Sequence, residues 1–148
     1  MEQAIRDLHG GEMLTAMKDC TMKVQREAKL NLVAWKSPEV GGVDTGVTRA
    51  SIMPEVRLSG DVVEGVVGSK KMSALIQEVG SKPHWPPVKV IELWARRHGA
   101  NAYLVGRAIA KRGNKPRKFL SKAFNDSKDY IFRRFEKAAN DIARKANG

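Results

Sequence analysis

The 148-residue sequence holds one cysteine and three histidines. A lone Cys20 forms no internal disulfide, and no His, Cys and carboxylate set stands at metal-ligand spacing. Neither a disulfide scaffold nor a structural metal is therefore expected to hold the fold. Cys20 falls within a helical apolar pattern and reads as a small core or boundary residue in a reducing compartment. No apolar run approaches the ~18 residues of a membrane span. The opening MEQAIRDLHGGE lacks the basic-then-apolar order of a signal peptide, so a soluble, cytoplasmic protein is expected. Catalytic constellations are missing too: there is no Ser/His/Asp order, no pair of carboxylates in a glycine-framed loop and no phosphate-cradling loop. No catalytic, cofactor-binding or metal-binding residue is expected, and the chain reads as a non-enzyme.

What the sequence does have is positive charge, 27 Lys and Arg against 16 Asp and Glu. Residues 1–88 hold 11 of each sign, while residues 89–148 hold 16 basic against 5 acidic. The last 60 residues are thus expected to form a basic module. Such an excess fits a nucleic acid, an acidic protein surface or a merely solvated helix face. Trp85, Trp94 and Tyr103 lie nearby as candidate stacking groups, although Trp94 falls on an apolar helical face and reads as core.

Periodicity predicts an α+β fold in one domain, 1–148. A small antiparallel sheet from the middle of the chain is packed by a long N-terminal helix, two short helices and a long basic C-terminal helix. Residues 1–36 form the first helix, 43–87 the sheet and loops, and 88–148 the basic helical part. In the first segment Leu14, Met17, Thr21, Val24, Ala28 and Leu32 recur at steps of three and four. Gly10-Gly11 marks a break or a looser first turn, and Ser37-Pro38 stops the helix. Ser51–Ser59 alternates, with Ile52, Val56, Leu58 and also Pro54 on the apolar side, which makes this an edge strand or a bulged one. Ser59-Gly60-Asp61 is a turn signal. Val62–Gly68 returns as the second strand of a hairpin, with Gly65 marking a bulge or a close backbone approach.

Met72, Leu75, Ile76 and Val79 then stand at helical spacing before Gly80, the C-terminal cap of a short helix. The proline-stiffened SKPHWPP follows. One helix is expected from about Val88 to Gly99, with Val90, Ile91, Trp94 and Ala95 inward, and a second from Ala102 to Arg112, with Val105, Ala108 and Ile109 inward. From Phe119 the apolar residues Leu120, Ala123, Phe124, Ile131, Phe135, Ala138 and Ile142 mark a helix of about seven turns. Lys118, Lys122, Lys128, Arg133, Lys137 and Arg144 occupy its other face.

Three motifs carry a resemblance. DTGVTRASI (Asp44–Ile52), LIQEVGSKPHWPP (Leu75–Pro87) and PRKFLSKA (Pro116–Ala123) occur in the order and spacing of the tail-component family of long-tailed bacteriophages and prophages, which the chain resembles over almost its whole length. The chain departs from that pattern at Val79, usually aromatic, at Ser81, usually Thr, at Lys118, commonly Pro, and at Val47-Thr48. The resemblance implies a structural virion protein of the head–tail junction, a neck or tail-completion (tail-terminator-like) subunit. It implies a homo-oligomeric ring, six-fold or a twelve-fold ring matching a portal, located in the virion after assembly in the host cytoplasm. Its partners would be adjoining connector and tail tube proteins, with the basic helix facing acidic surfaces or DNA in the lumen; no membrane is involved. The motif residues Asp44, Thr45, Gly46, Arg49, Ser51, Glu78, Gly80, Pro116, Phe119 and Leu120 are the interaction candidates. By their chemistry Asp44 and Thr45 bond nearby backbone N–H groups, Gly46 permits positive φ and Arg49 is able to hold a carboxylate, with Glu78 a candidate. The alternative is a nucleic-acid-binding protein that uses the basic C-terminal helices.

Overall fold

The computed structural model describes the backbone of residues 2–32, 46–60 and 62–147, and the side chains of these from residue 10 onward. It is a mixed helix and sheet fold, α+β as expected. The elements are α1 (Glu2–Asn31), α2 (Val47–Ala50), β1 (Met53–Ser59), β2 (Val62–Gly68), α3 (Met72–Val79), α4 (Val88–His98), α5 (Ala102–Arg112) and α6 (Phe119–Asn147). They fall into two compact units, one of residues 1–71 with 119–148, the other of residues 72–118.

In the first unit α1 packs against both α6 and the hairpin. That double contact explains why its buried face is wider than the predicted stripe. Thr21, Val24, Ala28 and Leu32 are buried as expected, and so are Ala16 and Cys20, which lie beside the stripe. On α6 the fully buried positions are small, Ala123, Ser127 and Ala138, which lets two helix backbones approach closely. Polar contacts fix an antiparallel register: Asn31 Nδ2 donates to the Phe119 carbonyl at 3.0 Å, Arg134 Nε to Asp19 Oδ2 at 2.7 Å, and Lys145 Nζ to Glu12 Oε1 at 2.5 Å.

The expected break at Gly10-Gly11 is not present, since α1 runs continuously through both residues. Two helical glycines cost about 1 kcal/mol each relative to alanine. Packing on α6 and the Glu12–Lys145 pair hold this end of α1 in place, and Thr15 Oγ1 bonds back to the Gly11 carbonyl at 2.8 Å. The predicted stop at Ser37-Pro38 lies outside the described residues.

The hairpin is antiparallel, and every pair from Met53↔Gly68 to Ser59↔Val62 is in continuous register. No bulge interrupts it, so Gly65 is explained by the other expectation, a close approach. A Cβ there would stand 2.5 Å from Met17 Sδ and 2.7 Å from Thr21 Cγ2 on α1. Gly60, at φ 60°, supplies the left-handed residue that a two-residue turn requires. Pro54 sits opposite Val67 in a two-stranded sheet, where each strand is an edge and a missing donor is tolerated. Leu58, expected on the apolar side, is exposed near the tip.

In the second unit α4 packs on α5. Ala95 is buried and Ile91 and Trp94 are half-buried, but Val90, expected inward, is exposed; the inner face of α4 runs instead through Ile91, Trp94, Ala95 and His98. Gly99 ends α4 at φ 60°, and the N–H of Ala100 closes on the Ala95 carbonyl at 2.9 Å. Asn101 caps α5, its side chain accepting from the Leu104 N–H at 3.2 Å.

These contacts give opposite expectations for glycines within one unit. Gly65→Ala forces a methyl into Met17 and Thr21 and should cost about 1–3 kcal/mol. Gly10→Ala and Gly11→Ala, where a Cβ meets nothing within 4 Å, should each add up to about 1 kcal/mol. Urea unfolding followed by circular dichroism measures all three.

Candidate functional site

Among the described residues no group of three His, Cys, Asp or Glu is arranged to hold a metal ion, and no helix is long and apolar enough to cross a membrane. The surfaces that remain are the clustered motif residues, two cavities and the distribution of charge.

Asp44 and Thr45 lie outside the described residues. Gly46 is the residue before α2 and has φ 78°. Arg49 is exposed on α2 in the first unit, whereas Glu78 is near the end of α3 in the second. Ser51 closes the base of the hairpin through a directed chain of hydrogen bonds. The Lys71 N–H donates to Ser69 Oγ at 3.1 Å, Ser69 to Ser51 Oγ at 2.7 Å, and Ser51 to the Thr48 carbonyl at 2.7 Å. Next to it Ile52 is buried, its carbonyl bonded by Gln25 Nε2 at 2.7 Å, which ties the strand to α1.

Far apart in sequence, Leu75–Pro87 and Pro116–Ala123 meet within the second unit through their residues 75–87 and 116–118. Ser81 and Asn114 form a two-way backbone bridge at 3.0 and 3.1 Å, reinforced by Asn114 Nδ2 donating to Ser81 Oγ at 2.8 Å. The N–H groups of Arg117 and Lys118 then satisfy the Gln77 and Glu78 carbonyls at 2.7 and 3.2 Å, caps that α3 cannot supply itself. Gly80 and Gly113, both at positive φ, let the two strands of chain cross: a Cβ on Gly80 would strike the Asn114 carbonyl and the Pro116 ring, and one on Gly113 the Ser81 carbonyl. Phe119 is buried at the start of α6, and Leu120 is half-buried one residue on.

A cavity of about 490 Å³ opens in the first unit between α1, β2 and α6, lined by Met17, Cys20, Gly65, Leu120, Phe124 and Phe135 among others. Phe124, expected inward, is half-exposed at this cavity, with Lys128 Nζ 5.8 Å from its ring centroid. Cys20 is buried there as expected. Burial raises its thiol pKa, against a lowering by the Arg134 charge.

A second cavity, also about 490 Å³, lies wholly in the second unit, lined by Trp85, Pro86, Ile91, Glu92, Tyr103 and Gly106 among others. Trp85 and Tyr103 are 54 % and 62 % exposed, with ring centroids 6.1 Å apart and planes inclined at 56°. Trp94, by contrast, is half-buried and lies 4.7 Å from the His98 ring, in keeping with its core assignment.

Charge follows the units rather than chain order. Residues 72–118 carry 10 Lys and Arg against 2 Asp and Glu, a net +8 of the chain's +11. Residues 119–147 carry 7 against 4, with Arg134, Arg144 and Lys145 engaged by Asp19, Asp141 and Glu12. Sequence order had grouped α6 with the basic residues before it. Only the fold separates them.

No family model matches the chain, and no curated protein or solved structure matches it.

Two expectations test the geometry. Lys118 has φ 52° and donates its N–H to Glu78, so Lys118→Pro, which fixes φ near −65° and removes the donor, should destabilise by more than about 1 kcal/mol in urea unfolding, while Lys118→Gly is tolerated. The raised Cys20 pKa means that the folded state favours the neutral thiol. Its stabilising share is complete below the unfolded thiol pKa and is lost as pH rises through the folded one. Unfolding midpoints between pH 7 and 10 should fall more steeply for the parent than for Cys20→Ala, and Cys20 alkylation at pH 8 should be slow until urea opens the fold.

Proposed function

We propose that the chain is a structural virion protein of the head–tail junction, a ring-forming neck or tail-completion subunit that joins copies of itself and adjoining connector and tail tube proteins. The observation that carries this reading is the order and spacing of three motifs, DTGVTRASI, LIQEVGSKPHWPP and PRKFLSKA, between residues 44 and 123. Two structural features support it. The second and third motifs are linked by the Arg117 and Lys118 N–H groups that cap Gln77 and Glu78, beside the Ser81–Asn114 bridge just ahead of the third motif, so their co-occurrence has a common physical basis. The hairpin also offers a surface suited to self-association: it has two strands only, and Met53, Leu58, Val62 and Val66 are exposed on it. Unpaired strand edges with apolar side chains are normally covered by another chain.

The work of such a subunit is mechanical. Identical copies in cyclic symmetry meet head to tail, each presenting one patch to a different patch on its neighbour. Specificity comes from shape and main-chain hydrogen bonding, with no bond made or broken. Six copies close the ring, or twelve where it matches a portal. The alternative reading, nucleic-acid binding, is favoured by the net +8 of residues 72–118.

Native mass spectrometry and negative-stain imaging of the purified protein test the assembly. Closed rings of six or twelve copies are expected. Leu58→Lys with Val62→Lys, both exposed in the single chain, should leave the circular dichroism spectrum intact and yield monomers. A parent protein that remains monomeric at high concentration, with no ring formed on adding the adjoining connector protein, would reject the reading.

A further inference from the structure

We infer that the groove lined by Trp85 and Tyr103 is a binding site for single-stranded nucleic acid, in which unpaired bases stack on the exposed faces of these rings and neighbouring cations take the phosphates. The inference goes beyond ring assembly and does not require it, because the site is complete within residues 72–118 of one chain.

The groove is built for a flat apolar ligand. The six-membered end of the Trp85 indole rests over Gly106, where a Cβ would come within 3.7 Å of it, and Pro86 lies beside that contact. One side of the indole is thus supported while the residue stays more than half exposed. The Tyr103 ring leans against it at 56°, a tilted aromatic pair that holds both rings in place and leaves each with a face open to solvent. A volume of about 490 Å³ is within the range of small-ligand sites. Exposed aromatics in such a notch are stacking platforms that accept any base, since every base has a π-face.

Charge selects the polyanion over other flat ligands. On α5, Tyr103, Arg107 and Lys111 follow at intervals of four and so share one helix face, an aromatic group continued by two exposed cations. Lys82 precedes the loop that carries Trp85, and Lys89 stands on the first turn of α4 beside Val88, which lines the groove. A backbone crossing the groove would run past these cations. The single acidic group in the lining, Glu92, is suited to accept from an N–H on a base edge, the N3–H of thymine included, rather than to meet a phosphate. A proline-rich peptide would also fit an aromatic notch, but the net +8 of residues 72–118, which carry it, favours an anionic chain.

Fluorescence anisotropy with labelled (dT)12 and a 12-base-pair duplex, from 20 to 300 mM salt, tests the site, with native mass spectrometry recording the assembly state of the same samples. The single strand should bind tighter than the duplex. Trp85→Ala and Tyr103→Ala should each weaken it by about 5- to 150-fold, Trp85→Phe should restore most of the affinity, and Arg107→Gln with Lys111→Gln should flatten the salt dependence by up to about 1.4 units of slope. Circular dichroism and urea midpoints verify the fold of each variant, and the phenylalanine variant keeps the test valid if the alanine one unfolds. Four results would overturn the inference: no oligonucleotide binding at 20 mM salt, a preference for duplex, affinity unchanged by both aromatic truncations, or Trp85-dependent binding of a proline-rich peptide in place of DNA. Because binding is scored on monomer and ring alike, loss of either activity is read independently of the other.

Discussion

The first unit depends on the close antiparallel contact of α1 with α6. Ala16 and Ala28 on one helix, and Ala123, Ser127 and Ala138 on the other, are almost inaccessible to solvent. Small side chains bring the backbones together, but small apolar residues alone leave the register weakly specified. The register is set by the polar contacts at Asn31, Asp19 and Glu12. Partly exposed ion pairs contribute modestly to stability, so their stronger role is in excluding shifted pairings. Once α1 is fixed, the hairpin has a floor: Met17 and Thr21 occupy the space that Gly65 leaves open, and Gln25 holds the Ile52 carbonyl. Ser127 marks the limit of this packing, because its hydroxyl is buried without a hydrogen-bond partner.

Much of this was legible in sequence wherever the signal is local. Period-two alternation and the Ser59-Gly60 turn placed both strands, and Gly80 and Gly99 placed two helix ends, because each residue there answers to its own backbone conformation. The departures arise where a distant partner decides. Gly10-Gly11 reads as a break from propensity alone, yet α6 supplies packing and a counter-charge that propensity does not contain. Ala16 lies off a single stripe because α1 serves two neighbours. Val90 looks core-facing by spacing, but α4 packs on α5, and its protected face runs through Ile91, Trp94 and Ala95 instead. The pairing of Ser81 with Asn114 had no sequence signal beyond two glycines, since a bridge between residues 33 apart follows from topology.

Charge shows the same limit at a larger scale. Counted along the chain, the basic excess covers the last 60 residues without interruption. In the fold it separates, because α6 returns to pack on α1 and some of its cations are engaged there by carboxylates from α1 and from α6 itself. The residues before it, 72–118, carry ten Lys and Arg with two carboxylates among them. A composition window therefore measures charge but not its concentration on a surface, which is what attracts a polyanion.

The two units consequently offer different chemistry to a partner. Both expose apolar side chains, but the first adds strand edges, whose contacts are short-ranged and depend on fit, and the second adds an excess of cations, whose attraction reaches about 8–10 Å in physiological salt and weakens as salt rises. A chain that associates through both would lose them under different conditions, the electrostatic contact in concentrated salt and the apolar one in denaturant or on introducing charge at the hairpin. That difference separates assembly from anion binding physically. It also bears on Trp85 and Tyr103: the net +8 of the unit that carries them disfavours contact with a second copy of that unit while drawing in a ligand of opposite sign.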